Sequence, residues 1–150
     1  MRLLIQRVTR ASVTVNNTVT GQIGTGLLVL VGIGTEDDND DIDWLVGKLK
    51  TLRVFNDEEG KTNLDISDVD GSFLVVSQFT LHASTKKGNR PGFLGAARPE
   101  AAIPLYERFC KLLAVTSGRD VQTGEFGADM QVELVNDGPV TIWIDSRNRE

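Results

Sequence analysis

Ser77-Gln78-Phe79-Thr80-Leu81 brings two hydroxyls, an amide and a phenyl ring together at the end of an apolar run. Polar groups at the end of a buried strand are placed to line a pocket. The same residues also suit a strand that simply becomes solvated. Thr80 and His82 are two apart, so an extended chain would put hydroxyl and imidazole on one face. That pairing resembles an activated nucleophile, although no acid stands ready to orient the imidazole. A second run is Asn136-Asp137-Gly138-Pro139-Val140-Thr141. Asp-Gly between apolar runs signals a hairpin, and a tight turn is its plain reading. Pro139 complicates the turn, because proline donates nothing to a strand ladder and restricts its predecessor. X-Pro bonds alone have ready access to cis geometry, which here would aim consecutive carbonyls one way.

Composition narrows the chemistry. The 150 residues have the size of one domain, and one domain over 1–150 is expected. With 40% hydrophobic and 25% charged residues the chain is globular, neither disordered nor fibrous. The longest uncharged apolar run, 26–34, is too short to span a bilayer. Sixteen Lys+Arg against 21 Asp+Glu leave a net charge of −5. A protein that coats nucleic acid non-specifically is basic, so any nucleic-acid contact must be local and small; no DNA partner is expected. Cys110 and His82 are the sole residues of their types. They allow neither an internal disulfide nor a zinc site of the usual ligands within one chain, and no metal or cofactor is expected. The opening MRLLIQRVTR lacks the charged-apolar-small order of a signal peptide, so a cytoplasmic location is expected.

The elements that must position these groups follow from periodicity. Residues 2–8 and 12–15 alternate as strands, 18–23 is a second arm, and 27–33 reads as a central strand buried on both faces. Together they suggest an antiparallel meander. Thr35 to Asp38 resembles a capping box before a helix near 39–52, with Ile42, Leu45, Val46, Leu49 and Leu52 on its apolar side. The acidic run 37–43 lacks the Gly and terminal Glu of a calcium loop and reads as a solvated helix start. A short strand at 53–55, a polar turn at 56–63 and a turn at 68–71 lead to a strong strand at 72–79. Residues 80–98 then form a loop with Lys86, Lys87, Arg90 and Arg98 and no acid. A second helix spans 99–117, with Leu105, Phe109, Leu112 and Leu113 as its stripe and regular hydrogen bonding expected only from Pro104 onward. Strands at 121–124, 130–136 and 140–145 close the chain. The fold class is α/β: a mixed, mostly antiparallel sheet with two main helices. Strand-strand-helix-strand order in both halves hints at an internal duplication.

SQFTL at 77–81, NDGPVT at 136–141, FGADM at 126–130 and the opening RLLIQRVTRASVTV together resemble the D-aminoacyl-tRNA deacylase family. GLLVLVGI at 26–33 and PLYERF at 104–109 extend the resemblance over essentially the whole chain. It implies a homodimeric editing enzyme that removes D-amino acids, and mischarged glycine, from the 3′ end of aminoacyl-tRNA, with active sites at the dimer interface. Ser77, Gln78, Phe79 and Thr80 match one wall of the site. Gly138 and Pro139 match a cis-bonded motif that enters the partner's pocket and selects chirality, and Arg7 matches the arginine that holds it. Phe126 and Met130 match pocket residues near the amino acid and the terminal adenosine. The loop with Lys86, Lys87 and Arg90 would meet tRNA phosphates.

On that reading the backbone N–H groups of Phe79 and Thr80 hold the oxyanion, and the terminal ribose 2′-hydroxyl assists the attacking water. The Thr80 hydroxyl is the rival, as nucleophile or positioning group. Two other functions stay open at this point: a general esterase using Ser77 or Thr80, and a non-catalytic module that binds RNA ends.

Overall fold

The computed structural model describes Met1–Glu150. β1 (Arg2–Val15) is a single strand where the sequence suggests two, its alternation of buried and less buried residues interrupted at Arg7–Arg10. Residues 9–11 stay extended because β8 (Gln131–Asp145) pairs with β1 along its length, absorbing the irregularity as register shifts. β2 (Thr18–Ile23) folds back on the second half of β1, and β3 (Gly26–Gly32) on the first half, both antiparallel. The opening is therefore not a meander, since β2 and β3 share β1 as a partner and do not pair with each other.

β4 (Phe55–Asn56) and β5 (Thr62–Leu64) form a separate small hairpin, so the strand expected at 53–55 starts later and the polar turn is shorter. β6 (Ser72–Ser77) lies parallel to β3, and β7 (Val121–Thr123) parallel to β6. The sheet is mixed: antiparallel around β1, parallel from β3 to β7. It curls until β2 returns against β7, where a side chain on Gly21 would run into the Thr123 carbonyl.

Helix α1 (Asn39–Lys50) buries Ile42, Leu45, Val46 and Leu49. Its capping box is Asp38 with Asp41, one turn later than the sequence suggests. The acidic run is not simply solvated. Asp41 is buried and accepts from the Asp38 N–H at 2.9 Å and from Arg147 at 2.8 Å. Asp37 accepts from the Met1 ammonium at 2.5 Å and the Gly34 N–H at 2.6 Å. Helix α2 (Pro99–Ser117) begins five residues before Pro104, because the Ala102 N–H already bonds to the Arg98 carbonyl at 2.9 Å. Its buried face is Ala102, Tyr106, Phe109 and Leu113, while Leu105 and Leu112 flank it half-buried. The Tyr106 hydroxyl donates to the Val75 carbonyl of β6 at 2.9 Å, so its burial leaves no polar group unpaired.

Successive residues of β6 point to opposite faces. Phe73 and Val75 enter the core shared with both helices, and Leu74 and Val76 enter a second core inside the curl of the sheet. Locked on both faces, β6 delivers Ser77 to a fixed place.

Candidate active site

The Gln78 N–H makes a last rung to the Val31 carbonyl at 2.7 Å, and the chain then enters one 3₁₀ turn, Phe79–His82. The strand expected to reach Phe79 thus ends at Ser77. A 3₁₀ turn has about three residues per turn, so residues two apart diverge. Thr80 and His82 are consequently not brought together. His82 packs against Gly32 and Gly34 and lines a separate cavity of about 180 Å³ with Asp37, Asp145 and Arg147. Its Nε2 is buried without a partner. Burial pulls the His82 pKa below its ordinary value, a backbone bond at Gly32 opposes this, and Arg2 adds to the lowering.

An open groove of about 700 Å³ lies at the end of β6, a volume ordinary for small-molecule sites. Ser77, Gln78 and Phe79 line it on one side, and Phe126 and Met130 on another. These five sequence-selected residues therefore meet. Thr80 sits beside the groove, its hydroxyl accepting a hydrogen bond from the Gln78 amide. The first N–H groups of a helical turn have no partner within it, and Gln78 supplies no side-chain cap. The Phe79 and Thr80 N–H groups are thus free to bind an anion. Phe79 is 56% exposed and meets Phe93 edge-on, centroids 5.0 Å apart. Phe126 leans on Tyr106, centroids 5.6 Å apart.

Gly138 and Pro139 are elsewhere. The β1–β8 ladder passes from Val8–Asn136 to Gln6–Thr141, so residues 137–140 bow outward opposite Arg7. The Asp-Gly pair makes no hairpin turn; β8 continues through it. The Gly138-Pro139 bond is cis, and both residues are exposed and outside the groove of their own chain. Arg7, 6% exposed, donates to the Asp137 carbonyl at 3.1 Å and the Val54 carbonyl at 2.6 Å. Its Nε is also 3.3 Å from the Asp137 carboxylate. Asn136 completes the bow by accepting from the Val140 N–H at 3.1 Å and donating to Thr141 Oγ1 at 3.0 Å.

Lys86, Lys87 and Arg90 are exposed on a loop pinned by reciprocal Ser84–Gly92 backbone bonds of 2.8 and 2.9 Å. None of the three is in an ion pair. Sequence reasoning missed Phe93, and named Asn136 and Asp137 within the 136–141 run without a role for either side chain. Asn136 is legible as a side chain ahead of a tight backbone reversal; nothing in the spacing pairs Phe93 with Phe79.

The chain is 57% identical over all 150 residues to the D-aminoacyl-tRNA deacylase of Bacteroides fragilis (strain YCH46), covering 100% of both chains. It is 59% identical, with the same full coverage of both, to that of Flavobacterium johnsoniae. A solved structure titled "c-Myc DNA Unwinding Element Binding Protein" superimposes with a TM-score of 0.90 at 43% identity, over 97% of this chain and 98% of that one. A probable eukaryotic D-amino acid tRNA deacylase shares the fold, with a TM-score of 0.80 at 20% identity over 95% and 97% of the two chains. Residues 4–145 match the family described as D-Tyr-tRNA(Tyr) deacylase, and the chain belongs to that family. It is an enzyme of the hydrolase class. No helix is long and apolar enough to cross a membrane.

Proposed function

We propose that the chain hydrolyses the ester joining a D-amino acid, or mischarged glycine, to the 3′ end of tRNA, and spares L-aminoacyl-tRNA. It works as a homodimer in the cytoplasm, with residues 1–150 as one domain and no cofactor. The observation that carries this reading is the division of the site. Ser77, Gln78, Phe79, Phe126 and Met130 line one groove, while Gly138 and Pro139 are held outward, away from it. A second copy that inserts its Gly138-Pro139 bow into this groove completes the site.

Water attacks the ester carbonyl carbon, and the Phe79 and Thr80 N–H groups hold the oxyanion. Collapse of the adduct breaks the bond to the ribose oxygen, releasing free amino acid and a tRNA with its 3′-hydroxyl restored. The terminal 2′-hydroxyl takes part in moving the water's proton. The Gln78 amide occupies the Thr80 hydroxyl, which supports a positioning role for Thr80 over a nucleophilic one. Lys86, Lys87 and Arg90 meet tRNA phosphates, which lets an acidic protein grip one end of a polyanion.

Chirality follows from sterics. With the amino group on the Gly138-Pro139 carbonyls and the ester on Phe79 and Thr80, an L side chain is driven into the wall and a D side chain points out. Glycine has nothing to exclude. Specificity here comes from rejecting the wrong substrate.

The test is release of labelled tyrosine from D-Tyr-tRNA and L-Tyr-tRNA in parallel, with enzyme at catalytic concentration. Rapid loss of the D ester alone is expected. Equal loss of both points to an unselective esterase, and loss of neither to an RNA-end binding module.

A further inference from the structure

Six phenylalanines are present. Phe55, Phe73 and Phe109 are buried, as aromatic side chains in a core should be. Phe79 and Phe93 are the exposed ones, 56% and 37%, and they face each other edge-to-face at the mouth of the groove. Leu94, next in the chain, is 98% exposed. Two half-bare rings in contact make a poor core and a good platform for a flat partner.

The surroundings say what kind of partner. Residues 80–98 contain no acid and hold Lys86, Lys87, Arg90 and Arg98, in a chain whose net charge is −5. None of these four cations is in an ion pair within the chain. Arg98 lines the same groove as Phe93. The Ser84–Gly92 bonds close the loop that carries Lys86, Lys87 and Arg90 one residue before Phe93. Unpaired cations beside exposed aromatic faces form the surface that binds single-stranded nucleic acid: the charges follow the phosphates and the rings stack the bases.

We propose that Phe93 is a substrate-binding residue that stacks the nucleobase immediately upstream of the ester-bearing terminal nucleotide. This rests on the reading that the substrate is an aminoacyl-tRNA. The ester and terminal nucleoside occupy the groove, and the strand leaves it across Phe93 toward Lys86, Lys87 and Arg90. Stacking is tolerant of sequence, because every base has a flat face. The site thus grips any tRNA end without reading it.

The experiment compares two substrates, D-Tyr-tRNA and the D-tyrosyl ester of adenosine, which has no upstream base. Phe93→Ala should raise KM for D-Tyr-tRNA about tenfold, the effect of losing one stacked base, with kcat within about twofold. The adenosine ester, which lacks the upstream base, should lose several-fold less. Phe93→Trp should restore KM, and its indole fluorescence should be quenched by a short unacylated RNA ending in the tRNA 3′ sequence. Equal damage to both substrates would mean that Phe93 only supports Phe79, and the proposal fails. Unchanged KM for both overturns it too, as does a loss of self-association in Phe93→Ala by analytical ultracentrifugation, which would make the ring a subunit contact. Hydrolysis of neither ester by the unaltered enzyme counts against the deacylase reading. The fluorescence arm still decides the stacking proposal in that case.

Discussion

Arg7 reaches across the break in the β1–β8 ladder and donates to the Asp137 carbonyl at 3.1 Å, directly ahead of Gly138. Its Nη1 also satisfies the Val54 carbonyl at 2.6 Å. One buried guanidinium thereby ties the outward bow of β8 to the segment before β4. The planar fork serves several acceptors at fixed angles, which the point charge of lysine cannot do. Arg7→Ala leaves the Val54 carbonyl without this donor, a loss of about 1–3 kcal/mol. Chemical denaturation should register that loss. D-Tyr-tRNA hydrolysis should fall at least tenfold, and Arg7→Lys should recover stability better than activity. Full activity in Arg7→Ala would detach the bow from the site.

Gly138 has φ of 126°, in the region that L side chains rarely adopt. A β-carbon there would also lie 2.9 Å from Arg7 Nη2 and 3.0 Å from the Val140 side chain. Gly138→Ala should displace the bow at a cost of about 1–3 kcal/mol. The rest of β8 stays laddered to β1, so the protein should still fold. Circular dichroism should be unchanged and D-Tyr-tRNA hydrolysis nearly abolished. Wild-type turnover in a folded Gly138→Ala would remove the bow from the account of chirality.

Thr80 and His82 separate the two mechanisms. His82 lines the smaller cavity and cannot serve as base to Thr80. His82→Ala should therefore keep kcat within about tenfold. Thr80→Ala loses the Gln78 contact but no nucleophile, and should also stay within about tenfold. Removal of a true nucleophile costs several orders of magnitude, as in serine proteases. A Thr80→Ala drop on that scale, with normal binding, would make the hydroxyl the attacking group.

The helices, β3 and β6 were legible in the sequence because each has one dominant pattern. Ile42, Leu45, Val46 and Leu49 repeat at helical spacing, and the apolar run from Leu27 leaves no solvated face. The cluster at the end of β6 was legible as chemistry, since Ser77, Gln78 and Phe79 stand together in the chain. Three things were not. The turn at Phe79–His82 depends on the sheet ending at Ser77, which local spacing does not encode. The continuity of β8 through Asp137-Gly138 depends on β1 lying alongside, and this overrides a strong hairpin signal. The burial of Asp37 depends on Met1 and Gly34, partners that only the fold brings near.

Protonation behind the site should limit the enzyme in acid. His82 is held neutral by burial, with Arg2 adding to the lowering, so its folded pKa lies below the ordinary 6.5. The unfolded chain then binds the proton more readily. Stability from this source is complete above about pH 6.5 and is lost as pH falls through the folded pKa. The charged groups facing His82 in its cavity are the Met1 ammonium, Arg2, Glu36, Asp37, Asp145 and Arg147. Burial opposes ionisation of Asp41 and Asp145, but hydrogen bonds outweigh it and keep both below the usual carboxylate range. Ser146, the Asp38 N–H and Arg147 hold Asp41; the Arg147 N–H and Arg2 hold Asp145. Their contribution is complete above about pH 4 and is lost at lower pH. Thermal unfolding should thus show two declines, one starting near pH 6.5 and a steeper one below pH 4. His82→Gln should flatten the first and leave the second. If the first decline survives that substitution, another group is responsible and His82 is already protonated in the fold.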